Sequence, residues 1–334
     1  MRIGYNPHKD QPKENSEFTH QVVIPVYIPN EEGYFADSFT NFRLSLASLF
    51  ATSHDKTFFT VVNNGSCEKI RIYLDGLLYD KKIHELIHTD NIGKVNAIIK
   101  GIAGHDIELL TITDADVLFL SHWQYETNKV FQAFPKAGVV GIVPQYKTFT
   151  YKCDNLLFDK LFSKSLKFVP VTDPSAMGNF YDSIGWGKTN PDYTKTTLGI
   201  TQNNLTAYVG SGHFVATYKR DMFDETQNFF GYKLGGGSER YIDGLASRKD
   251  YWRLTTYENY AFHMGNVHEA WMDEVVFVKD DFGLFKNNFP AYGNLNGFSF
   301  FVKNKVFRKL FANKRVRKLF YRFKKLPKEM RAKY

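Results

Sequence analysis

Ile107-Glu-Leu-Leu-Thr-Ile-Thr-Asp114-Ala-Asp116-Val-Leu-Phe-Leu120 is the stretch that decides the fold. Its first seven residues are apolar and β-branched enough to form a strand buried on both faces, and the strand ends on two carboxylates one residue apart. Carboxylates at the exit of a buried strand repel each other and lose hydration unless a cation or hydrogen-bond donors compensate. As hard oxygen ligands they suit Mg2+ or Mn2+ bridging a diphosphate. A chain with 21 Asp contains about one such pair by chance, and a helix cap or turn is the plain alternative. The argument therefore rests on the position at the end of a central strand.

Upstream, strands and helices alternate. Residues 92–102 have helical spacing, 85–87 read as a short strand, and Ile70, Tyr73, Leu74 and Leu77 form a helical face behind Ser66. Residues 57–62 form a strand that Asn63-Asn64-Gly65 interrupts. Phe39, Phe42, Leu46, Leu49 and Phe50 fall on one helical face, and residues 22–28 form an opening strand with Pro25 inside it. Strands too apolar to have a wet face, separated by helices, predict a parallel sheet covered on both sides. Ligands of such sheets bind at the carboxyl ends of the strands, which directs attention to Tyr27, Asn63 and Asp114 to Asp116.

Composition excludes several classes. With 334 residues, 43% of them hydrophobic, and 31 Phe, 20 Tyr and 4 Trp, the chain is not disordered as a whole. Two cysteines, Cys67 and Cys153, are too few for a disulfide framework or a thiolate zinc site, so a reducing compartment is expected. No apolar run approaches the roughly 18 to 20 residues of a membrane span. Residues 1–20 carry Asp10, Lys13, Glu14 and Glu17 and lack the apolar core of a secretion signal. The expected location is cytoplasmic, on the inner face of the membrane if the C-terminus acts as follows.

The net charge of +8 hides an asymmetry: residues 302–334 hold 14 Lys or Arg and one acid, Glu329, while the remainder is net negative. Val306, Phe307, Leu310 and Phe311, then Val316, Leu319, Phe320, Phe323 and Leu326, have helical spacing. The two sets point to nearly opposite sides of one helix, which predicts a break near 312–314 and two short amphipathic helices, the first packing on the body. An apolar stripe flanked by cations suits an anionic membrane surface better than nucleic acid, and a solvated helical end is the bland alternative.

The first 145 residues resemble the nucleotide-binding half of a family 2 glycosyltransferase with the GT-A fold. Val22-Val-Ile-Pro-Val-Tyr27 resembles that family's opening strand and Val61-Val-Asn-Asn-Gly-Ser66 its second-strand acidic or amide motif. Asn91-Ile-Gly93-Lys94 resembles its N-x-G segment and Asp114-Ala115-Asp116 its D-x-D. The resemblance implies a Rossmann-like, mixed and mostly parallel sheet covered by helices, followed here by a basic amphipathic helical tail. It implies that Pro25, Val26 and Tyr27 with Asn63 or Asn64 hold the base, that Lys94 approaches the nucleotide, and that Asp114 and Asp116 serve the ribose and a metal-bound diphosphate. Many relatives carry an Asp where this chain has Asn63, whose amide can still pair with a base.

In the second half, residues 145–210 show few periodic runs and read as a binding region or lid. Gly235-Gly-Gly-Ser-Glu239-Arg-Tyr-Ile-Asp243 resembles the glycine-rich segment that supplies the acceptor base, without its usual adjacent pair of acids. Glu239 and Asp243 share a helical face, so either can be that base, and helix capping by acids is the alternative for both. His263 resembles the late histidine that completes a metal shell with Asp114 and Asp116, although a buried, hydrogen-bonded histidine is an equal reading; His268 is a weaker candidate. Gly210-Ser-Gly212-His213 resembles the family's small-residue segment facing the acceptor, and Gly212 and His213 are assigned shape there. Trp186, Tyr181 and Trp252 are candidates for stacking on sugar rings, with core packing the alternative.

The expected organisation is an extension at 1–20, a nucleotide-sugar-binding half at 21–145, an acceptor-binding half at 146–300 and a basic tail at 301–334. The expected activity is metal-dependent and, by resemblance, inverting transfer of a sugar from a nucleotide-sugar, UDP-sugars favoured, to a hydroxyl of a glycan or lipid-linked acceptor. A sugar-phosphate nucleotidyltransferase normally needs a glycine-rich basic loop after the first strand, where this chain has Pro29-Asn-Glu31-Glu32. A non-catalytic carbohydrate- or nucleotide-binding module on the same scaffold is the other alternative.

Overall fold

Alternating strands and helices fill the first third of the chain in the computed structural model, which describes residues 4–6, 8–12, 16–187, 191–235, 237–279, 289, 296–331 and 334. In order come β1 (His20–Val26), α1 (Ser38–Thr52), β2 (Thr57–Asn64), α2 (Glu68–Tyr79), β3 (Glu85–Thr89), α3 (Lys94–Ile102) and β4 (Leu109–Thr113). β1 and β4 are buried at every position, and their polar side chains are paired inside the sheet, His20 with Thr111, Gln21 with Thr60 and Thr111 with Thr217. The four strands lie parallel in the order β3-β2-β1-β4. Their carboxyl ends share one edge, where Tyr27, Asn64 and Asp114 emerge.

The chain then leaves the sheet through β5 (Val117–Phe119), α4 (Trp123–Ala133) and β6 (Ala137–Gly141). It continues through α5 (Asp154–Asp159), β7 (Leu166–Pro170), α6 (Pro174–Ser183), β8 (Thr196–Gln202), β9 (Leu205–Val209), β10 (Val215–Lys219), α7 (Ser238–Arg248), β11 (Trp252–Thr255) and β12 (Ala261–His263). β10 lies antiparallel between β4 and β6, and the ten-stranded sheet finishes β6-β11-β9-β8-β7. The parallel half gathers its strand ends at one edge, and the rest of the sheet is largely antiparallel.

Residues 145–210 are more regular than their sequence suggests. They contain the antiparallel run β7-β8-β9, with Asn203 and Asn204 both at positive φ in a two-residue hairpin. Short strands rich in Thr and Gly carry little hydrophobic alternation, so periodicity passes over them.

The basic tail is part of the folded body. Helical segments α8 (Gly297–Phe301), a π-helical turn at Val302–Phe307, α9 (Arg308–Ala312) and α10 (Lys314–Phe323) follow one another, and Asn313, at ψ 124°, interrupts the helix between the last two. Phe307, Phe311, Phe320, Tyr321 and Leu326 are buried in a core shared with α4, α5, β6 to β9 and β11. Lys303 pairs with Asp159 at 2.8 Å and Asp250 at 2.9 Å. The first helix packs on the body through Phe307 and Phe311, and the second does so as well through Phe320 and Tyr321, so about half of the apolar stripe fills the groove beside the antiparallel half of the sheet.

Candidate active site

Lys94, Asp114 and Leu234 form a wall shared by two cavities. The first, about 410 Å³, is lined by Pro25 to Ile28, Asn64, Asp114 to Asp116 and Asn266. The second, about 560 Å³, is lined by Tyr181, Trp186, Gly212, His213, Glu239, Asp243 and His263 among others. Residues 91–116 and 211–263, far apart in sequence, thus meet at one point.

Local backbone chemistry builds the first cavity. β2 ends at Asn64, where Asn63 Oδ1 accepts from the Ser66 amide at 2.9 Å and Asn64 Oδ1 accepts from the Ile92 amide at 2.9 Å. Gly93, at φ 92°, starts α3, and a Cβ there would lie 2.6 Å from the Tyr232 carbonyl oxygen. Such an approach lets the Lys94 amide donate to the Lys233 carbonyl at 2.8 Å and lets Asn96 bond the Phe230 backbone in both directions. Residues 230–234 are thereby strapped across the start of α3, and Lys233 and Leu234 close one side of the cavity.

Of the two candidates Asn63 and Asn64, the structure places Asn64 on the cavity. The Asn63 amide is 2.9 Å from His88 Nδ1, and both its functional groups are engaged away from the cavity, whereas Asn64 lines it. Strand alternation separates the two side chains.

Asp114 and Asp116 lie between β4 in the large sheet and β5, which pairs with β12 so that Val117 faces His263. Asp114 Oδ1 is 2.6 Å from Lys94 Nζ, and Glu239 Oε1 is 3.6 Å from the same ammonium. Burial alone would pull Lys94 down, but the Asp114 carboxylate, with Glu239 and Asp116 behind it, outweighs burial and raises its pKa. Asp116 Oδ2 is 3.6 Å from His263 Nε2, whose Nδ1 is 3.0 Å from Ser183 Oγ. Burial pushes the Asp116 carboxyl above its ordinary range and Asp114 adds to the rise, while His263 and Lys94 pull the other way.

No group of three His, Cys, Asp or Glu side chains converges at metal-binding distance among the described residues. Of the expected ligands Asp114, Asp116 and His263, Asp114 is turned to Lys94, while Asp116 and His263 face each other. The pair fits a divalent ion: Ser183 fixes the imidazole through Nδ1 and presents Nε2 beside the half-buried Asp116 carboxylate, a mixed nitrogen and oxygen set suited to Mn2+. His268 is occupied elsewhere, with its ring nitrogens on Asn41 and Asp273.

Across the second cavity, α7 begins at Ser238 and carries both acids on one face, but their surroundings differ. Glu239 is partly exposed, with Oε2 3.9 Å from His213 Nε2. Asp243 is buried; its Oδ1 accepts from Arg253 at 3.0 Å and its Oδ2 is 3.4 Å from His213 Nδ1. Burial works to raise the Asp243 pKa, but His213 and Arg253 together bring it below the usual carboxylate range. The bond to Asp243 raises the His213 pKa against burial. Arg253 also donates to the Ser211 and Asp243 carbonyls, tying β11 to the cavity floor. Replacing Arg253 with Met is expected to destabilise the fold by about 3–5 kcal/mol, since it leaves a buried carboxylate uncompensated; urea denaturation measures this, and Asp243→Asn added to Arg253→Met should recover part of the loss.

Gly212 acts through its missing side chain, since a Cβ would run into the Gln145 amide. Trp186 is 63% exposed and stacks on Tyr181 at 6.2 Å, a ring platform on the cavity rim. Trp252 is corrected: it is buried, its indole N–H donates to Asp159 at 3.0 Å, and it packs in the core beneath the tail. Sequence reasoning missed Ser183 and Arg253. An arginine inside the otherwise apolar Trp252–Thr255 strand is a signal for a buried ion pair; nothing local marks Ser183 as the residue that orients His263.

The Glycosyl transferase family 2 profile matches residues 21–202. Among solved structures, the chain is similar to TarS 1-349 of S. aureus at 11% identity and TM-score 0.42, over 73% of this chain and 60% of that one. It is similar to the same fragment in complex with UDP-GlcNAc at 12% and 0.43, over 78% and 62%. Mannosyltransferase PcManGT from Pyrobaculum calidifontis, in complex with GDP-Man and Mn2+, gives 16% and 0.40, over 74% and 58%. The chain thus spans less than two thirds of the length of each of these structures. No curated protein matches it. Glu239, Asp243 and His263 fall beyond the matched segment, while the strand ends, Lys94 and the Asp114 to Asp116 turn fall inside it. With more than half of its residues matched, the chain belongs to glycosyl transferase family 2.

Proposed function

We propose that the protein transfers a sugar from a nucleotide-sugar, UDP-sugars favoured, to a hydroxyl of a glycan or lipid-linked acceptor, with inversion and with a divalent ion, Mn2+ or Mg2+. The observation that carries the reading is the wall of Lys94 and Asp114 common to both cavities. A nucleoside diphosphate filling the first cavity directs its sugar past that wall, where Glu239 waits.

In this reading the base rests against Pro25 to Tyr27. Asn64 Nδ2, whose contact with Asn91 is stretched to 3.5 Å, donates to it. The Lys94 ammonium faces the diphosphate and offsets its charge. Asp116 and His263 would hold the ion, which supplies further charge stabilisation to the departing diphosphate. Glu239 accepts the proton of the acceptor hydroxyl as that oxygen attacks the anomeric carbon, and the Trp186 and Tyr181 rings provide an apolar face for the acceptor sugar. Asp243 fixes His213 and Arg253 and thereby the shape of the floor.

Thermal melting with UDP, GDP, CDP and ADP, each with and without Mn2+, tests the reading. One diphosphate at 100 times its Kd should stabilise the protein by about 2.7 kcal/mol, and only with the metal. Indifference to all four would overturn it.

A further inference from the structure

Once the tail has filled its groove, α10 still has an outer face. Arg315, Lys318, Leu319, Arg322 and Phe323 follow one another at helical spacing, and all five are exposed, Leu319 at 67% and Phe323 at 56%. Phe162, 83% exposed, meets Phe323 edge-on at 6.4 Å from the loop between α5 and β7. Neither α9 nor α10 contains an acidic residue. Three large apolar side chains in water beside three cations, with no counter-charge on the helix, call for a covering surface that is apolar beneath and anionic above.

The opposite, buried side of α10 is connected to the second cavity. Trp186 and Tyr181 border that cavity, and from Tyr181 ring contacts run to Tyr146 at 4.2 Å, Tyr193 at 5.2 Å, Tyr334 at 5.5 Å and Tyr321 of α10 at 5.8 Å. The helix that bears the exposed face and the rim where an acceptor would enter are therefore joined by one packed row.

We propose that the outer face of α10, with Phe162, docks the protein on an anionic lipid bilayer. Leu319, Phe323 and Phe162 enter the boundary between headgroups and acyl chains, and Arg315, Lys318 and Arg322 pair with lipid phosphates. The row of rings then leads from the docked helix toward the second cavity, so the acceptors within reach are membrane-anchored; this last step rests on the transferase reading above, whereas the docking does not.

Flotation of the full chain tests it, using vesicles of phosphatidylcholine alone and of phosphatidylcholine with about 30% phosphatidylglycerol, with anionic binding expected to fall as salt rises. Arg315→Gln, Lys318→Gln and Arg322→Gln together should weaken binding to the anionic vesicles on the order of 100-fold, about fivefold per residue. Leu319→Ser with Phe323→Ser should weaken it at least tenfold, roughly the effect of withdrawing two large apolar side chains. Both variants should melt like the parent and keep its nucleotide response, which separates failure of docking from failure of the transferase reading. The proposal is overturned if the parent ignores anionic vesicles, floats equally with neutral ones, or floats undiminished in the serine variant. Binding to an oligonucleotide without binding to vesicles would overturn it as well.

Discussion

Asp116→Ala will abolish the Mn2+-dependent part of the nucleotide response and lower the transfer rate by about 10²–10³-fold, the usual cost of removing one preorganised electrostatic contact at a centre where charge develops. The effect is assigned to Asp116 rather than Asp114 because the two carboxylates have different partners. Asp114 faces the Lys94 ammonium at 2.6 Å, while Asp116 faces the His263 imidazole at 3.6 Å. A carboxylate whose pKa is raised by burial opposes folding at every pH above its unfolded value, since the penalty grows between the unfolded and the raised pKa and then stays constant. The metal-free Asp116→Ala protein should therefore melt at or above the parent temperature at neutral pH. Isothermal titration with Mn2+ and UDP, together with melting of the metal-free protein, measures both halves. A lower melting temperature with the metal response intact would make Asp116 a structural residue and remove the ion from the site.

The parallel half of the fold is legible in the sequence because its strands are buried on both faces. Val22 to Val26 then appears as a continuous apolar run and Leu109 to Thr113 as an apolar and β-branched one, and their ends mark the edge where Tyr27 and Asp114 emerge. The antiparallel half is not legible by the same means. β8, Thr-Thr-Leu-Gly-Ile-Thr-Gln, is half buried and half polar, and its best local signal is the Asn203-Asn204 turn that follows. Side-chain commitments are less legible still. Asn63 and Asn64 are adjacent and chemically identical, and only the pleat decides that one bonds His88 while the other faces the cavity. Trp252 looks like a sugar platform until β11 turns it onto Asp159. In the tail, helical spacing correctly places the interruption near Asn313, yet the side of each helix that meets the body depends on the groove left by α4, α5 and the sheet, which no local pattern encodes.

Glu239→Gln is expected to reduce kcat by roughly 10²–10⁴-fold, the range for loss of a positioned general base, while nucleotide binding and thermal stability stay near the parent values. Asp243→Asn is expected to do the reverse. Both acids lie on the same face of α7, so helix geometry alone does not separate them. Their partners do. Asp243 is 2% exposed and sits between Arg253 and His213, so its loss strands a buried guanidinium and costs about 3–5 kcal/mol of stability. Glu239 has no such buried partner. Its neighbours, Lys94 at 3.6 Å and His213 at 3.9 Å, both border the second cavity, leaving its carboxylate open to an incoming hydroxyl. Single-turnover transfer with the identified nucleotide-sugar, compared with urea denaturation of the same two variants, distinguishes the roles. If Asp243→Asn removes turnover without loss of stability while Glu239→Gln remains active, the base is Asp243, and the Arg253 pairing must then open during the reaction.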